Sequence, residues 1–469
     1  MTDIATPQSV PIVEGHASAA ATARSAAILA RMEALPLSRW HLKARVIVGA
    51  ATFFDAVDTV AIGLVLPVIG QAWHMTPGEI GWLISGGFMG QLVGAIGFGQ
   101  LAERIGRIGT IMITTAIFAL GGIASAFAVG FASMFVLRML QGLGLGAEVP
   151  VAATYINEIA PASKRGSFVL LYEFIFAVGI VVSGFIGRWA IPALGWQSLF
   201  LIGSIPPLVV LLLLRTLPES PRWLARRGRM AEAEAAIDRI EREIRASGKE
   251  IVAAHTPPPP ATGGSGNWRE LFGERYRTRT LLIWIIWITI GFISWPLTIW
   301  LPTIYRNVFK VSLEQALNFG MVNNVIILIA TLSCALLIDR TGRKAWFTGA
   351  FTLAGVALCV LGFTGAATVD TVFILTGLTL FGITSLNLAI YLYTPELYPT
   401  RLRAQGIGIA LAWARVAGMI APPIIGWGMS NNGLGAVFAG LGVISLLAAL
   451  ATALLAIETK RRVLEDVSP

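Results

Sequence analysis

Phe53-Phe54-Asp55-Ala56-Val57-Asp58 sets two carboxylates inside an apolar run that extends from Val46 to Ile69. A helix crosses a bilayer with ~20 apolar residues rising ~1.5 Å each, so the run is long enough to span. Each acid near its centre costs roughly 2.5–3.5 kcal/mol on insertion scales. Such a cost requires an interior environment that offers water or a partner. The three-residue spacing puts Asp55 and Asp58 on one helix face, able to point into one cavity, with Val57, Val60 and Ile62 left for packing or lipid.

The rest of the composition agrees. A mean hydropathy of +0.74, with 55% hydrophobic and 13% charged residues, excludes an ordinary soluble domain and a disordered chain. The chain reads as a polytopic helical membrane protein. Cys334 and Cys359 lie in apolar runs and read as small buried hydrophobes, not as a disulfide or metal pair. The histidines, at 16, 41, 74 and 255, fall outside the mid-membrane segments, so no histidine relay, metal site or cofactor is expected. The net charge of +9 does not point to nucleic acid, because its placement is topological. One set of loops holds Arg104, Arg107, Lys164, Arg165, twelve basic residues from Arg222 to Arg279, Arg340, Arg343, Lys344, Arg401 and Arg403, with further basic residues in both terminal segments. The opposite loops hold Arg306 and Lys310. This asymmetry predicts that both termini and the central loop are cytoplasmic.

Residues 1–40 are rich in Ala, Ser and Pro, show no signal-peptide core, and are expected to form a mobile cytoplasmic tail. Twelve apolar runs follow, at 46–69, 80–101, 109–129, 131–155, 167–190, 197–215, 280–303, 315–338, 345–365, 371–393, 404–428 and 434–457. The expected fold is an all-α membrane protein of 12 transmembrane helices in two pseudo-symmetric six-helix bundles, 41–215 and 280–458. Between them, 216–279 is a cytoplasmic linker in which Met230–Ile251 reads as an amphipathic helix, before a Pro257–Pro260 run and Gly263-Gly264-Ser265-Gly266. Residues 459–469 form a cytoplasmic tail.

The two sixes echo each other. Gly99-Gln-Leu-Ala-Glu103-Arg104-Ile-Gly106-Arg107 returns as Ala335-Leu-Leu-Ile-Asp339-Arg340-Thr-Gly342-Arg343, an offset of 236. Tyr155-Ile-Asn-Glu158-Ile-Ala-Pro161 with Arg165 returns as Tyr393-Thr-Pro-Glu396-Leu-Tyr-Pro399 with Arg403, an offset of 238. Two motif pairs at nearly one offset indicate a duplicated six-helix unit with a binding site at the midplane between halves. Glu103, Arg104, Arg107, Glu158 and Arg165, with Asp339, Arg340, Arg343, Glu396 and Arg403, are the expected cytoplasmic gate. Their charges can bond one another and the starts of neighbouring helices.

These loops, Arg138-x-x-Gln141-Gly142 and Pro218-Glu-Ser-Pro-Arg222 resemble the major facilitator superfamily over about residues 45–460. Phe54-Asp55-Ala56-Val57-Asp58, Gly142-Leu-Gly-Leu-Gly-Ala-Glu148-Val-Pro150, Thr394-Pro-Glu396-Leu-Tyr-Pro399 and Arg415 resemble a narrower branch. It comprises the bacterial niacin transporters (NiaP), synaptic-vesicle-protein relatives, aromatic acid/proton symporters and organic ion transporters. The chain departs from the superfamily pattern at Glu103, usually Asp, at Ile108, usually basic, and at Ala335, usually Gly. Ala56 stands where the aromatic-acid symporters usually carry Gly, which favours the niacin-transporter side.

The resemblance implies that Arg415, near the middle of the eleventh span, anchors a substrate carboxylate, for which its fork of donors is suited. The residues alone equally allow a structural pair with an acid of the N-terminal half. Asp55 and Asp58 are the proton-carrier candidates, with helix-packing hydrogen bonds as the alternative. Arg138 is placed to pair with one of them, and Glu173 to line the inner vestibule. Glu148 is a substrate-contact candidate whose flanking Gly142, Gly144 and Gly146 also fit close helix packing. Phe54 and Trp295 are candidate walls for an aromatic ring, and Asn323 and Asn324 candidate hydrogen-bonding groups.

The expected function is proton-coupled import of a small organic monocarboxylate such as nicotinate by alternating access, by a monomer in a bacterial inner membrane. The proton is the coupling ion, and the bilayer and the organic acid are the partners. The alternatives are an organic-cation exporter or exchanger and a non-transporting nutrient receptor. No nucleophile–base pair or metal cluster argues for an enzyme.

Overall fold

The computed structural model describes residues 12–161, 164–251, 268–365 and 368–460. The Pro257–Pro260 run, the Gly263–Gly266 stretch and residues 461–469 lie outside them, as do residues 1–11. Among the described residues twelve helices are long and apolar enough to span a bilayer. The N-terminal six are α2 (Arg39–Ala72), α3 (Pro77–Ile105), α4 (Arg107–Ser125), α5 (Phe131–Ile159), α6 (Arg165–Leu194) and α7 (Gln197–Leu214). The C-terminal six are α10 (Arg277–Asn307), α11 (Leu313–Thr341), α12 (Arg343–Phe363), α13 (Val369–Glu396), α14 (Thr400–Asn431) and α15 (Gly433–Leu455). Since consecutive spans alternate in direction, one face carries the chain ends and the central linker; it is termed here the linker face, and the opposite one the far face.

Within the stretch expected to be a mobile tail, Ile12–Ala34 form a helix, α1, that packs on the linker. Arg31 donates to Asp238 at 2.6 Å and to Glu241 at 2.8 Å. Glu33 accepts from Arg165 at 2.7 Å and also from Arg222. Burial pushes the Glu33 carboxyl up, but the Arg222 and Arg165 guanidiniums outweigh it and hold the group below its ordinary range. The linker begins with α8 (Pro221–Arg226), and its amphipathic helix, α9, runs Met230–Ala246, shorter than expected because the chain turns at Gly248, where φ is +78°. Ala233, Ile237, Ile240 and Ile244 form its buried face.

Inside each half, glycines bring helix backbones together. On α3 and α5, a Cβ at Gly90 would stand 2.0 Å from Met139 O, and one at Gly146 2.1 Å from Gln91 O. The same close approach joins α12 to α15, where a Cβ at Gly442 would stand 2.6 Å from Cys359 Sγ.

The duplication extends to single atoms. Arg107 bonds Glu103 at 2.8 Å and Glu158 at 3.2 Å, while Arg343 bonds Asp339 at 2.7 Å and Glu396 at 3.1 Å. Gly106 and Gly342 take φ of +105° and +93°, and each turn presents the next helix's N-terminus to a glutamate. Glu219 accepts from the Arg107 and Ile108 amides at 2.9 and 3.0 Å, and Glu458 from the Arg343 and Lys344 amides at 3.0 and 3.1 Å. Tyr155 donates to Pro218 O and Tyr393 to Ile457 O, both at 2.9 Å. The two acids are not equally placed. Burial pushes Glu219 up, whereas Glu458 is less enclosed, and its Lys460, Arg343 and Lys344 amide donors overcome burial and hold it below its ordinary range.

The expected gate therefore closes within each half. Arg165 is engaged by α1, Arg403 donates to Tyr398 O at 3.4 Å, and Arg104 and Arg340 are exposed. A cavity of about 250 Å³ opens beside the N-terminal cluster, lined by Thr154, Asn157, Glu158, Arg165 and Arg222. The halves meet toward the far face. Gln71 donates to Asn307 at 3.1 Å, Ser85 to Met419 O at 2.5 Å, and Arg188 reaches Asn318 and Glu314. Gly63 abuts the Ile299 backbone, Gly81 that of Pro422, and Gly426 that of Pro77. A void of about 10 Å³ in this seam, lined by Val60, Gly63, Ile299 and Asn324 among others, has room for at most about one water. Toward the linker face a Cβ on Gly97 or Gly99 of α3, or on Gly408 of α14, would meet nothing within 4 Å.

Candidate functional site

At the midplane, α2 brings Asp55 and Asp58 inward, 2% and 0% exposed. They have different partners. Asp58 Oδ2 accepts from Arg138 Nη1 at 3.1 Å, and Arg138 also donates to Gln141 Oε1 at 2.5 Å and lies over the Phe200 ring at 5.9 Å. Of the two acids expected to pair with Arg138, the structure selects Asp58. Asp55 Oδ1 accepts from Thr59 at 3.1 Å, and its Oδ2 is buried without a donor. The Glu148 carboxyl stands within hydrogen-bond reach of Asp55. A bond between two carboxyls requires a proton on one of them. Glu148 also accepts from Thr52 Oγ1 at 3.2 Å, and Thr52 pairs with the Tyr172 hydroxyl at 2.7 Å. Glu148 thus belongs with the buried acids and not with a substrate-lining surface, and Thr52 and Tyr172 join the network without a sequence signal. Glu173, on the next position of α6, is half-buried and has Glu148 and Tyr391 as neighbours.

From the opposite half, α14 carries Arg415 across the interface. It pairs with no acid among the described residues. Its Nη1 donates to Gln91 O at 3.3 Å and its Nη2 to Gly146 O at 2.6 Å, the two carbonyls brought together by the close approach of α3 and α5. Two of its five N–H groups are engaged in this way, and Asp55 and Tyr391 are its electrostatic neighbours.

The aromatic and amide candidates separate. Phe54 is half-buried and edge-on to Phe53 at 5.1 Å. Trp295 meets Phe176 of the other half at 6.1 Å, and together with Ala56, Val60, Ile180 and Ile327 they form an apolar plug between the halves. Asn323 donates to the Tyr305 hydroxyl at 3.4 Å and Asn324 to Ile180 O at 3.0 Å, so both NH2 groups are engaged in helix packing, while Asn323 Oδ1 is buried without a partner among the described residues.

Twelve spans in two matching halves, with buried acids from one half facing an arginine of the other at the midplane, define a secondary transporter of the major facilitator superfamily. The family model described as "Sugar (and other) transporter" matches residues 67–469, and the chain belongs to that family. It is 33% identical over 448 residues to the niacin transporter NiaP of Acinetobacter baylyi (strain ATCC 33305 / BD413 / ADP1), covering 94% of this chain and 99% of that protein. It is 31% identical to the 4-hydroxybenzoate transporter PcaK of Pseudomonas putida, covering 82% and 85% of the two chains. Among solved structures, a crystal structure of D-xylose-proton symporter superposes with a TM-score of 0.71 at 19% identity, covering 90% of this chain and 99% of that one. This last likeness is one of fold. The protein is a multi-pass membrane transporter and not an enzyme.

Proposed function

We propose that the protein imports a small aromatic monocarboxylate together with a proton, with nicotinate as the leading substrate. It would work from a bacterial inner membrane with the linker face toward the cytoplasm. The observation that carries this reading is the pairing of a buried carboxyl cluster, Asp55, Glu148 and Asp58, with an arginine from the other half that has no acidic partner among the described residues. A substrate carboxylate offers Arg415 a charged acceptor in place of two backbone carbonyls, and charge-assisted bonds are roughly twice as strong as neutral ones. A proton shared by Asp55 and Glu148 lets one carboxyl donate to the other and reduces the charge enclosed when the halves close. One proton entering with one monovalent anion moves no net charge, so the pH gradient supplies the drive. Each further proton adds about 2.3 kcal/mol per 100 mV. Relatives named for niacin, 4-hydroxybenzoate and gallate support a substrate that carries both a ring and a carboxylate.

The test is uptake of labelled nicotinate into proteoliposomes with and without an inward proton gradient, for wild type, Asp55→Asn and Arg415→Ala. The reading expects gradient-driven accumulation in wild type, exchange without accumulation in Asp55→Asn, and no uptake in Arg415→Ala. Wild-type uptake indifferent to the gradient overturns the coupling, and absence of nicotinate uptake overturns the substrate.

A further inference from the structure

We infer that Tyr391 selects the end of the substrate remote from its carboxylate, an inference that rests on the reading of the site just given. Among the tyrosines, Tyr155, Tyr172, Tyr305, Tyr393 and Tyr398 all engage their hydroxyls with protein partners. Tyr391 bonds none of the described residues through its hydroxyl, and it is 54% exposed although it lies on a helix inside the bundle, with Arg415 and Glu173 as electrostatic neighbours. Its ring is nevertheless fixed. It stands edge-on to Trp287 at 5.0 Å and 86°, and the Trp287 indole donates to Thr394 Oγ1 at 3.1 Å, one turn further along α13.

A rigidly held ring with a free hydroxyl, in a space that opens toward the linker face, is a group kept for a ligand. Its level in the bundle says which part of the ligand it meets. Tyr391 is five residues from the end of α13 and Arg415 fifteen from the start of α14, which at ~1.5 Å per residue offsets their backbones by about 15 Å along the axis. Their side chains enter the same space, so a substrate whose carboxylate rests on Arg415 extends its ring toward Tyr391. The hydroxyl both donates and accepts, so it serves a pyridine nitrogen as donor and a phenolic substituent as acceptor. An unsubstituted ring gives it nothing to bond.

The experiment compares nicotinate, 4-hydroxybenzoate and benzoate as transport substrates of wild type and Tyr391→Phe, which keeps the ring against Trp287 and removes one oxygen. The expected result is a rise in KM of about tenfold for nicotinate and 4-hydroxybenzoate, with Vmax unchanged, and a benzoate KM within about twofold of wild type. An equal loss for all three would place the hydroxyl on the carboxylate or in the fold, and no loss would leave it out of the site; either overturns the inference while leaving the transport reading intact. A wild type that carries none of the three overturns both. Tyr391→Ala, which also removes the ring, is expected to raise the benzoate KM as well, and an unchanged benzoate KM there would contradict the placement of the ring.

Discussion

Asp58 and Arg138 form a buried ion pair joined by a single 3.1 Å bond, with side chains 0% and 4% exposed, and the two partners are not equally dispensable. Removing one member of such a pair costs about 3–5 kcal/mol because the other is left charged and enclosed. In Asp58→Asn the stranded group is a guanidinium, which cannot shed its proton. Gln141 and the Phe200 ring still attend it, which places the cost near the lower bound, about 3 kcal/mol. In Arg138→Gln the stranded group is a carboxyl, which can take up a proton and become an acid with one unmet bond, a cost of about 1–3 kcal/mol. The arginine variant should therefore be the more stable of the two, and Asp58→Asn/Arg138→Gln should lie closer to Arg138→Gln than to the sum of the single changes. Unfolding in a mild detergent, followed by intrinsic tryptophan fluorescence, reads all three against wild type. Additive losses, or an Arg138→Gln variant less stable than Asp58→Asn, would refute the reasoning.

Gly146→Ala drives a Cβ to 2.1 Å from Gln91 O, the carbonyl that receives Arg415; overpacking of about 1–3 kcal/mol in the unfolding midpoint and a lower uptake rate are expected together. The two glutamate caps should respond to pH with opposite signs. Glu458, held below its ordinary range, stabilises the fold above that range, and its contribution is lost as pH falls through its lowered value. Glu219, pushed up by burial, contributes below its ordinary range and loses that contribution as pH rises through its raised value. Unfolding midpoints across roughly pH 3 to 7 should thus show Glu458→Gln without part of the acid-side loss and Glu219→Gln without part of the decline with rising pH. Glu33→Ala releases Arg165 and Arg222 from α1; trypsin should then cut at Arg24 and Arg31 sooner than in wild type, with the twelve-span body intact on a gel.

Charges inside apolar runs were the legible part of this sequence. Asp58, Arg138 and Arg415 had to find interior partners because hydrocarbon offers none, and the echo of Glu103–Arg107 in Asp339–Arg343 located the clusters that the structure shows. The partners themselves were harder to read. Arg415 bonds two main-chain carbonyls, which every residue has, exposed by glycines whose close approach is a property of two helices at once. Tyr391 looks in the sequence like any belt aromatic, and only its exposure inside the bundle, with Arg415 as an electrostatic neighbour, distinguishes it. Glu219 lies within Pro218-Glu-Ser-Pro-Arg222, a motif that marks the family without naming the glutamate as a helix cap, and its counterpart Glu458-Thr459 falls outside both repeated motif pairs. The α1 segment reads as low-complexity chain, and its docking depends on Arg31 and Glu33 meeting charges some two hundred and 130 residues away.

The far-face seam has a thermal consequence. Besides the bonds of Gln71, Ser85 and Arg188, Val60 and Leu64 of one half meet Ile299 and Pro302 of the other around the small void, so parting the halves there hydrates apolar surface as well as breaking hydrogen bonds. Hydrating apolar surface raises the heat capacity. The stroke that opens the far face should accordingly show an activation enthalpy that grows on warming, and the stroke that reseals it the opposite curvature, so that the slower limb of the cycle changes identity with temperature.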